Sequence, residues 1–145
     1  MSNQTTTTRE PRLLLALTSG LLAALILNLV LFDDLRTDAT ADFAGTFLAP
    51  QHLTSILACL LAVVLVAVGH RSAARVAAVV AWIEIAAFTF FHGIPVEVGP
   101  AKPYWGDGMG DLLQWVGFLS ILALSAAIVS AARRTPKGAV TPAVA

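Results

Sequence analysis

Four long apolar runs limit what this chain can fold into more than any other feature of its sequence. The first run covers residues 13–32 and the fourth covers residues 112–132, and neither contains a charged residue. A helix rises about 1.5 Å per residue, so about 20 residues cross a hydrocarbon core of roughly 30 Å. Both runs are therefore long enough to span a bilayer as single helices.

The second and third runs are shorter but reach the same length when their flanks are included. The second run, residues 53–69, can start at Pro50, because proline is well suited to the first helical position. The third run, residues 76–91, is interrupted only by Glu84, and the alanines before Arg75 extend it. Arg75 itself can extend its charge to the interface. In a chain that is 57% hydrophobic and 12% charged, we expect all four runs to cross a membrane.

Only a helical bundle suits these runs. Backbone groups cannot be hydrated inside lipid, so each segment must satisfy its hydrogen bonds internally. A barrel would need alternating polarity in segments of about ten residues, and the runs show none. We predict an all-α, four-helix transmembrane bundle with up-down-up-down topology. Its helices cover about 12–32, 50–69, 73–92 and 111–132 in a membrane domain of 11–133, between disordered tails 1–10 and 134–145.

The first run is not typical of a cleaved signal peptide. Arg9 and Arg12 give it a basic start, and Ala39 to Ala41 resembles a cleavage site. However, the run exceeds the roughly 7–15 apolar residues of a signal core, and the site lies well beyond its end. We therefore expect this segment to stay in the protein as its first helix.

The charges predict the orientation of the bundle. The tails and the second loop carry seven of the nine basic residues, whereas the first and third loops carry seven of the nine acids. Basic residues are retained in the cytoplasm, so both termini are expected on the cytoplasmic side of a cell membrane. Arginine outnumbers lysine and alanine is abundant, a composition typical of bacteria with GC-rich genomes. The cytoplasmic basic residues are Arg9, Arg12, Arg71, Arg75, Arg133, Arg134 and Lys137.

Glu84 is the most prominent candidate for a functional residue. It is the one charged residue inside the third run and lies about 12 Å along the helix from Val76, near the bilayer midplane. An acid at that depth costs at least about 2.5 kcal/mol, and such residues are functional hypotheses by default. It could transfer a proton or bind a cation, or it could tie helices together as a neutral carboxyl. Residue counting offers Ser120 and Cys59 as its partners.

The outer face of the bundle carries the other candidates. His52 begins the second helix and His92 ends the third. The third loop adds acids, prolines, glycines and aromatic residues. We expect this face to contact a ligand or a protein partner. Close metal-ligand spacing is absent, so we assign no metal, no cofactor and no catalytic residue. The outer-face candidates are His52, His92, Glu97, Tyr104, Trp105, Asp107 and Asp111.

Three functional hypotheses remain open. The first is a non-enzymatic accessory or interaction subunit. Small residues recur every four positions in three helices and favour close helix packing. The partner would be another copy of this chain or other membrane subunits. The second is a small oligomeric carrier or proton-coupled protein that uses Glu84. The third, a membrane enzyme using His92 with Asp107 or Asp111, has the least support. No phosphate loop, hydrolase motif or nucleic-acid-type basic patch is present. The small-residue stripes are Ala16, Gly20 and Ala24; Ala73, Ala77 and Ala81; and Ala123, Ala127 and Ala131.

Overall fold

The computed structural model describes residues 9–32, 50–95, 104–105 and 112–135. These residues form an all-helical structure, as predicted. The first and third helices each continue into a short π-helical segment, Asn28–Phe32 and Thr89–Gly93 respectively. The four α-helices are α1, Arg9–Leu27; α2, Pro50–Ala67; α3, Ala73–Phe88; and α4, Leu112–Arg134.

Among the described residues, four helical segments are long and apolar enough to cross a membrane. This confirms the four helices that the apolar runs predict. Each span includes all or most of its run, and the third also contains Glu84. The spans are Glu10–Val30, Pro50–Ala67, Ala73–Gly93 and Leu112–Arg134.

The helix ends extend slightly into the polar flanks. α1 begins at Arg9 instead of residue 12, and α4 ends at Arg134 instead of residue 132. Glu10 lies in the first turn of α1 and the two terminal arginines lie in the last turn of α4. These charges oppose the partial charges of the helix ends and so favour the extra residues. Thr135 is described and follows α4. The rest of the two predicted disordered tails, residues 1–8 and 136–145, lies outside the described residues.

Each helix packs against two neighbours, so the bundle closes into a ring. α1 contacts α2 and α4, and α3 also contacts α2 and α4. A tight turn joins α2 to α3. Gly69 adopts a positive φ of 68° there, which glycine tolerates without the steric cost of a Cβ. The His70 amide donates to the carbonyl of Leu65 at 2.9 Å and thereby closes the turn.

α3 and α4 are antiparallel, because the end of one helix meets the start of the other. A Cβ built on Gly93 would lie 3.2 Å from Phe118 Cζ. These two residues follow α3 and lie in the second turn of α4, respectively. Their close approach sets the register of the two helices, which make the most extensive contact in the bundle.

Small side chains occupy much of the bundle core. The stripe of α3 that was predicted to face other helices, Ala73, Ala77 and Ala81, is buried inside the bundle. The stripes of α1 and α4 are less enclosed, since Ala16 and Ala123 are exposed. Close packing at small residues gives dispersion contacts where lipid supplies no hydrophobic drive.

The outside of the bundle is strongly apolar. Large hydrophobic residues are exposed on all four helices, and α2 has the most open span, with 17% of its residues buried. A monomer in water rarely exposes so much contiguous apolar surface, whereas lipid would cover it. On α2, the exposed large residues are Leu57, Leu60, Leu61 and Val64, and the exposed Val68 follows directly after the helix.

Candidate functional site: a sealed carboxyl and an aromatic cap

Glu84 lies at the middle of the third span. Counted along the helix at about 1.5 Å per residue, it is about 16 Å from Ala73 and about 13 Å from Gly93. Glu84 is buried on the side of α3 that also buries Val80 and Ala81. The sequence therefore places this carboxyl in the core of the bundle at mid-depth.

The Glu84 carboxyl is sealed from the surroundings of the bundle. The residue is 1% exposed. Neither carboxyl oxygen makes a hydrogen bond to the part of the chain that the structure describes. Ser55 on α2 is the hydroxyl close enough to interact with the carboxyl, but its geometry falls short of a normal hydrogen bond. A buried polar group without a partner is costly and calls for an explanation.

The two partners expected for Glu84 from residue counting do not bond to it. Cys59 is fully buried, but its Sγ donates to the carbonyl oxygen of Thr18 on α1 at 3.7 Å. The charge of Glu84 acts on the Cys59 thiol without a hydrogen bond between them. Ser120 on α4 is half-buried, and no hydrogen bond joins it to Glu84. The thiol instead links α1 to α2.

Ser125 on α4 is the second buried polar group at the level of Glu84. It is 0% exposed, and its hydroxyl oxygen has no hydrogen bond among the described residues. Because Gly93 opposes Phe118 in the antiparallel pair, counting back about 13 Å on α3 reaches Glu84, and counting on about 10 Å on α4 reaches Ser125. The two side chains therefore lie within one helical turn of the same level.

Six aromatic residues lie together where α3 ends and α4 begins. We call this group the aromatic cap. The Tyr104 ring stacks on the His92 ring with a centroid distance of 4.5 Å and meets the rings of Trp115 and Phe118 edge-on. Edge-to-face pairs of this kind add about 0.5–1.5 kcal/mol beyond the area they bury. The members of the cap are Phe88, His92, Tyr104, Trp105, Trp115 and Phe118.

Hydrogen bonds hold the third loop against the cap. The Tyr104 amide donates to the carbonyl of His92 at 3.1 Å, and the Trp105 indole nitrogen donates to the carbonyl of Gly93 at 2.9 Å. These carbonyls belong to the π-helical end of α3, where the usual helical partners run out. Tyr104 is 3% exposed, so the described part of the loop, Tyr104 and Trp105, lies against the end of α3.

The structure brings together only part of the predicted outer face. His92, Tyr104 and Trp105 meet in the cap, whereas His52 is half-buried at the start of α2. Glu97, Asp107 and Asp111 lie outside the described residues. Within the described ranges, no group of three or more histidine, cysteine, aspartate or glutamate side chains is placed to hold a metal.

Sequence reasoning missed Ser55 and Ser125. Both are small polar residues inside apolar runs, where serine is usually a packing residue. Ser125 lies between Ile121 and Ile128, which are both fully buried. This spacing on one helix face was the available signal that its hydroxyl points into the core.

Comparison of the chain with family models, with curated proteins and with solved structures finds no match. The interpretation of the site therefore depends on its geometry.

Proposed function

We propose that this chain is a multi-pass protein of the cell membrane, with both termini in the cytoplasm, that acts as a non-enzymatic interaction subunit. The observation that carries the proposal is the sealed carboxyl of Glu84, which is 1% exposed. A carrier or enzyme built around this acid needs a route for substrate from water to the carboxyl. Because the acid is sealed, we place the functional surface of the protein on the outside of the bundle.

The apolar exterior supports contact with other membrane helices. Trp82 on α3 is 52% exposed near the midplane, two residues from Glu84 but on the outer side of the helix. Tryptophan prefers the membrane interface, where its N–H meets water or headgroups. A tryptophan exposed at mid-depth is better accommodated against another helix than against lipid tails.

Site-specific photocrosslinking in native membranes tests this proposal. A photoreactive amino acid replaces one exposed residue at a time on three helices, Leu60, Trp82 and Leu119, which are 43%, 52% and 56% exposed. The proposal predicts a protein product of fixed mass from at least one face, and lipid adducts from another. A mass of twice the chain identifies a second copy, and any other fixed mass identifies another subunit. Lipid adducts alone at all three positions would contradict an interaction role.

A proton-coupled carrier is the second candidate, because the two Glu84 oxygens have no hydrogen-bond partner among the described residues. A purely structural carboxyl would be expected to bond across helices. Four helices seldom enclose a pathway, so this function needs a dimer or larger assembly. Proteoliposomes with a trapped pH-sensitive dye separate the candidates. Proton flux that is present in the wild type and lost in Glu84→Gln favours the carrier, and equal flux in both removes it.

A further inference from the structure

We infer that the centre of the bundle binds a water molecule that bridges the carboxyl of Glu84 on α3 to the hydroxyl of Ser125 on α4. The inference concerns the interior of the bundle and does not depend on the contact role proposed for its exterior. Three buried polar atoms motivate it: both Glu84 carboxyl oxygens and Ser125 Oγ, none of which is hydrogen-bonded to a described residue.

These polar groups lie on two helices that pack against each other. Both residues are on the inward faces of α3 and α4 and are at most 1% exposed. The register fixed by Gly93 and Phe118 places them within one turn of the same level. They make no direct hydrogen bond to each other, and a water molecule commonly bridges two polar groups of this kind.

A bridging water gives hydrogen bonds to the Glu84 and Ser125 oxygens that have no partner among the described residues. A buried water typically makes about three hydrogen bonds to groups that lack partners. Glu84 and Ser125 supply two, and Ser55, which interacts with Glu84 from α2, supplies a third. The buried core here also contains small residues, since Ala81 on α3 and Cys59 on α2 are both 0% exposed.

A neutral carboxyl suits this site better than an ion pair or a bound metal. Cys59 is an ionisable side chain near enough for the charge of Glu84 to act on it, and it is not a cation. Calcium takes about 6–8 oxygen ligands, whereas these side chains offer the two carboxyl oxygens and two serine hydroxyls. A protonated Glu84 donates its O–H to the water, and the Ser125 hydroxyl completes the bridge.

Infrared spectroscopy of the full chain in lipid nanodiscs tests the bridge. The wild type should show the C=O stretch of a protonated, hydrogen-bonded carboxyl, which Glu84→Gln removes. Exchange of the solvent into H₂¹⁸O should shift the O–H stretch of an internal water. Ser125→Ala should move the carboxyl band toward the frequency of a free carboxyl, whereas the matched Ser120→Ala variant, on the same helix, should leave it in place.

The opposite results overturn the inference. No protonated carboxyl band means that Glu84 is ionised. A band that is insensitive to Ser125→Ala, with no ¹⁸O-sensitive water, means that the site is dry. A band that moves only in Ser55→Ala means that the carboxyl bonds directly to α2. The Ser125→Ala and isotope measurements read the wild-type carboxyl, so they decide the question even if Glu84→Gln does not fold.

Discussion

Two hydrogen bonds join the aromatic cap to the end of α3, whereas two buried polar side chains at the bundle centre have none among the described residues. In the cap, the Trp105 indole and the Tyr104 amide donate to carbonyls at the end of α3. At the centre, the carboxyl of Glu84 and the hydroxyl of Ser125 have no hydrogen bond to the described chain. Both regions are largely buried, so burial alone does not explain the difference.

The difference separates a region built for stability from one that carries a cost. At the cap, packed rings and the hydrogen bonds of the Tyr104 amide and the Trp105 indole hold these two residues against the end of α3. An acid at mid-depth costs at least about 2.5 kcal/mol to place in a membrane on insertion scales, and Glu84 has no hydrogen bond to the described chain that offsets this cost. Such a residue is expected to be kept for a role other than stability, and substitutions in the two regions should have opposite signs.

The largest effect is expected at the centre of the cap. Tyr104→Ala removes a ring that is 3% exposed and contacts three other rings, so it should lower the free energy of unfolding by about 3 kcal/mol. Denaturation in mixed micelles measures the change. The adjacent Trp105→Ala variant is the control, because Trp105 is 50% exposed and should cost less. Equal losses would mean that the cap is not packed around Tyr104.

At the bundle centre, the expected change has the opposite sign. Glu84→Leu replaces a buried acid with an apolar side chain of similar volume and should raise the free energy of unfolding by about 2 kcal/mol. The same micelle denaturation detects it. Ser55→Ala is a suitable control, since it changes α2 at the same site without removing the acid. A loss of stability in Glu84→Leu would show that the carboxyl holds the helices together.

Gly93→Ala probes the contact between the two regions. The added methyl would lie 3.2 Å from Phe118 Cζ, and the ring, which is 6% exposed, has little room to move. We expect a loss of about 1 kcal/mol from overpacking. Gly20→Ala is the matched control, because its nearest atom, Leu124 Cδ2, is at an ordinary 3.5 Å. A neutral Gly93→Ala would mean that α3 and α4 are not held in this register.

The smallest effect tests the hydrogen bond that pins the loop. Trp105→Phe keeps most of the ring but loses the bond to the Gly93 carbonyl, so about 0.5–1 kcal/mol should be lost. Limited proteolysis of the third loop should also become faster. Trp82→Phe, on the exterior of α3, serves as the control and should change neither measurement. Unchanged proteolysis in Trp105→Phe would mean that other contacts hold the loop.

The spans and the depth of Glu84 were predictable from the sequence, because lipid demands long apolar helices and makes an interior acid conspicuous. The hairpin of α2 and α3 was also predictable, since Gly69 to Ser72 leaves no room for another arrangement. The sealing of Glu84 was not, because Val80 and Ala81 could equally line a water-filled cavity. Only the packing of α2 and α4 decides between the two.

The aromatic cap could be predicted only in part. Tyr104 and Trp105 were expected at the outer face, but their contact with Phe118 depends on how the third loop folds back, and hydropathy does not encode that. Ser125 came to the level of Glu84 only through the register set by Gly93 and Phe118. The π-helical ends of α1 and α3 were not predictable, because no proline or other sequence signal ahead of Gly93 indicates them.

Cysteine accessibility in intact cells tests most directly the central claim, a bundle that spans the membrane with both ends inside. On a Cys59→Ala background, single cysteines replace Ser72 in the α2–α3 turn, Pro95 after α3, and Thr135 after α4. A membrane-impermeant maleimide should label position 95 in intact cells, and positions 72 and 135 only after permeabilisation. In the wild type, the buried Cys59 should stay unlabelled in both conditions. Labelling of position 72 or 135 in intact cells, or of Cys59 without denaturant, would contradict the account.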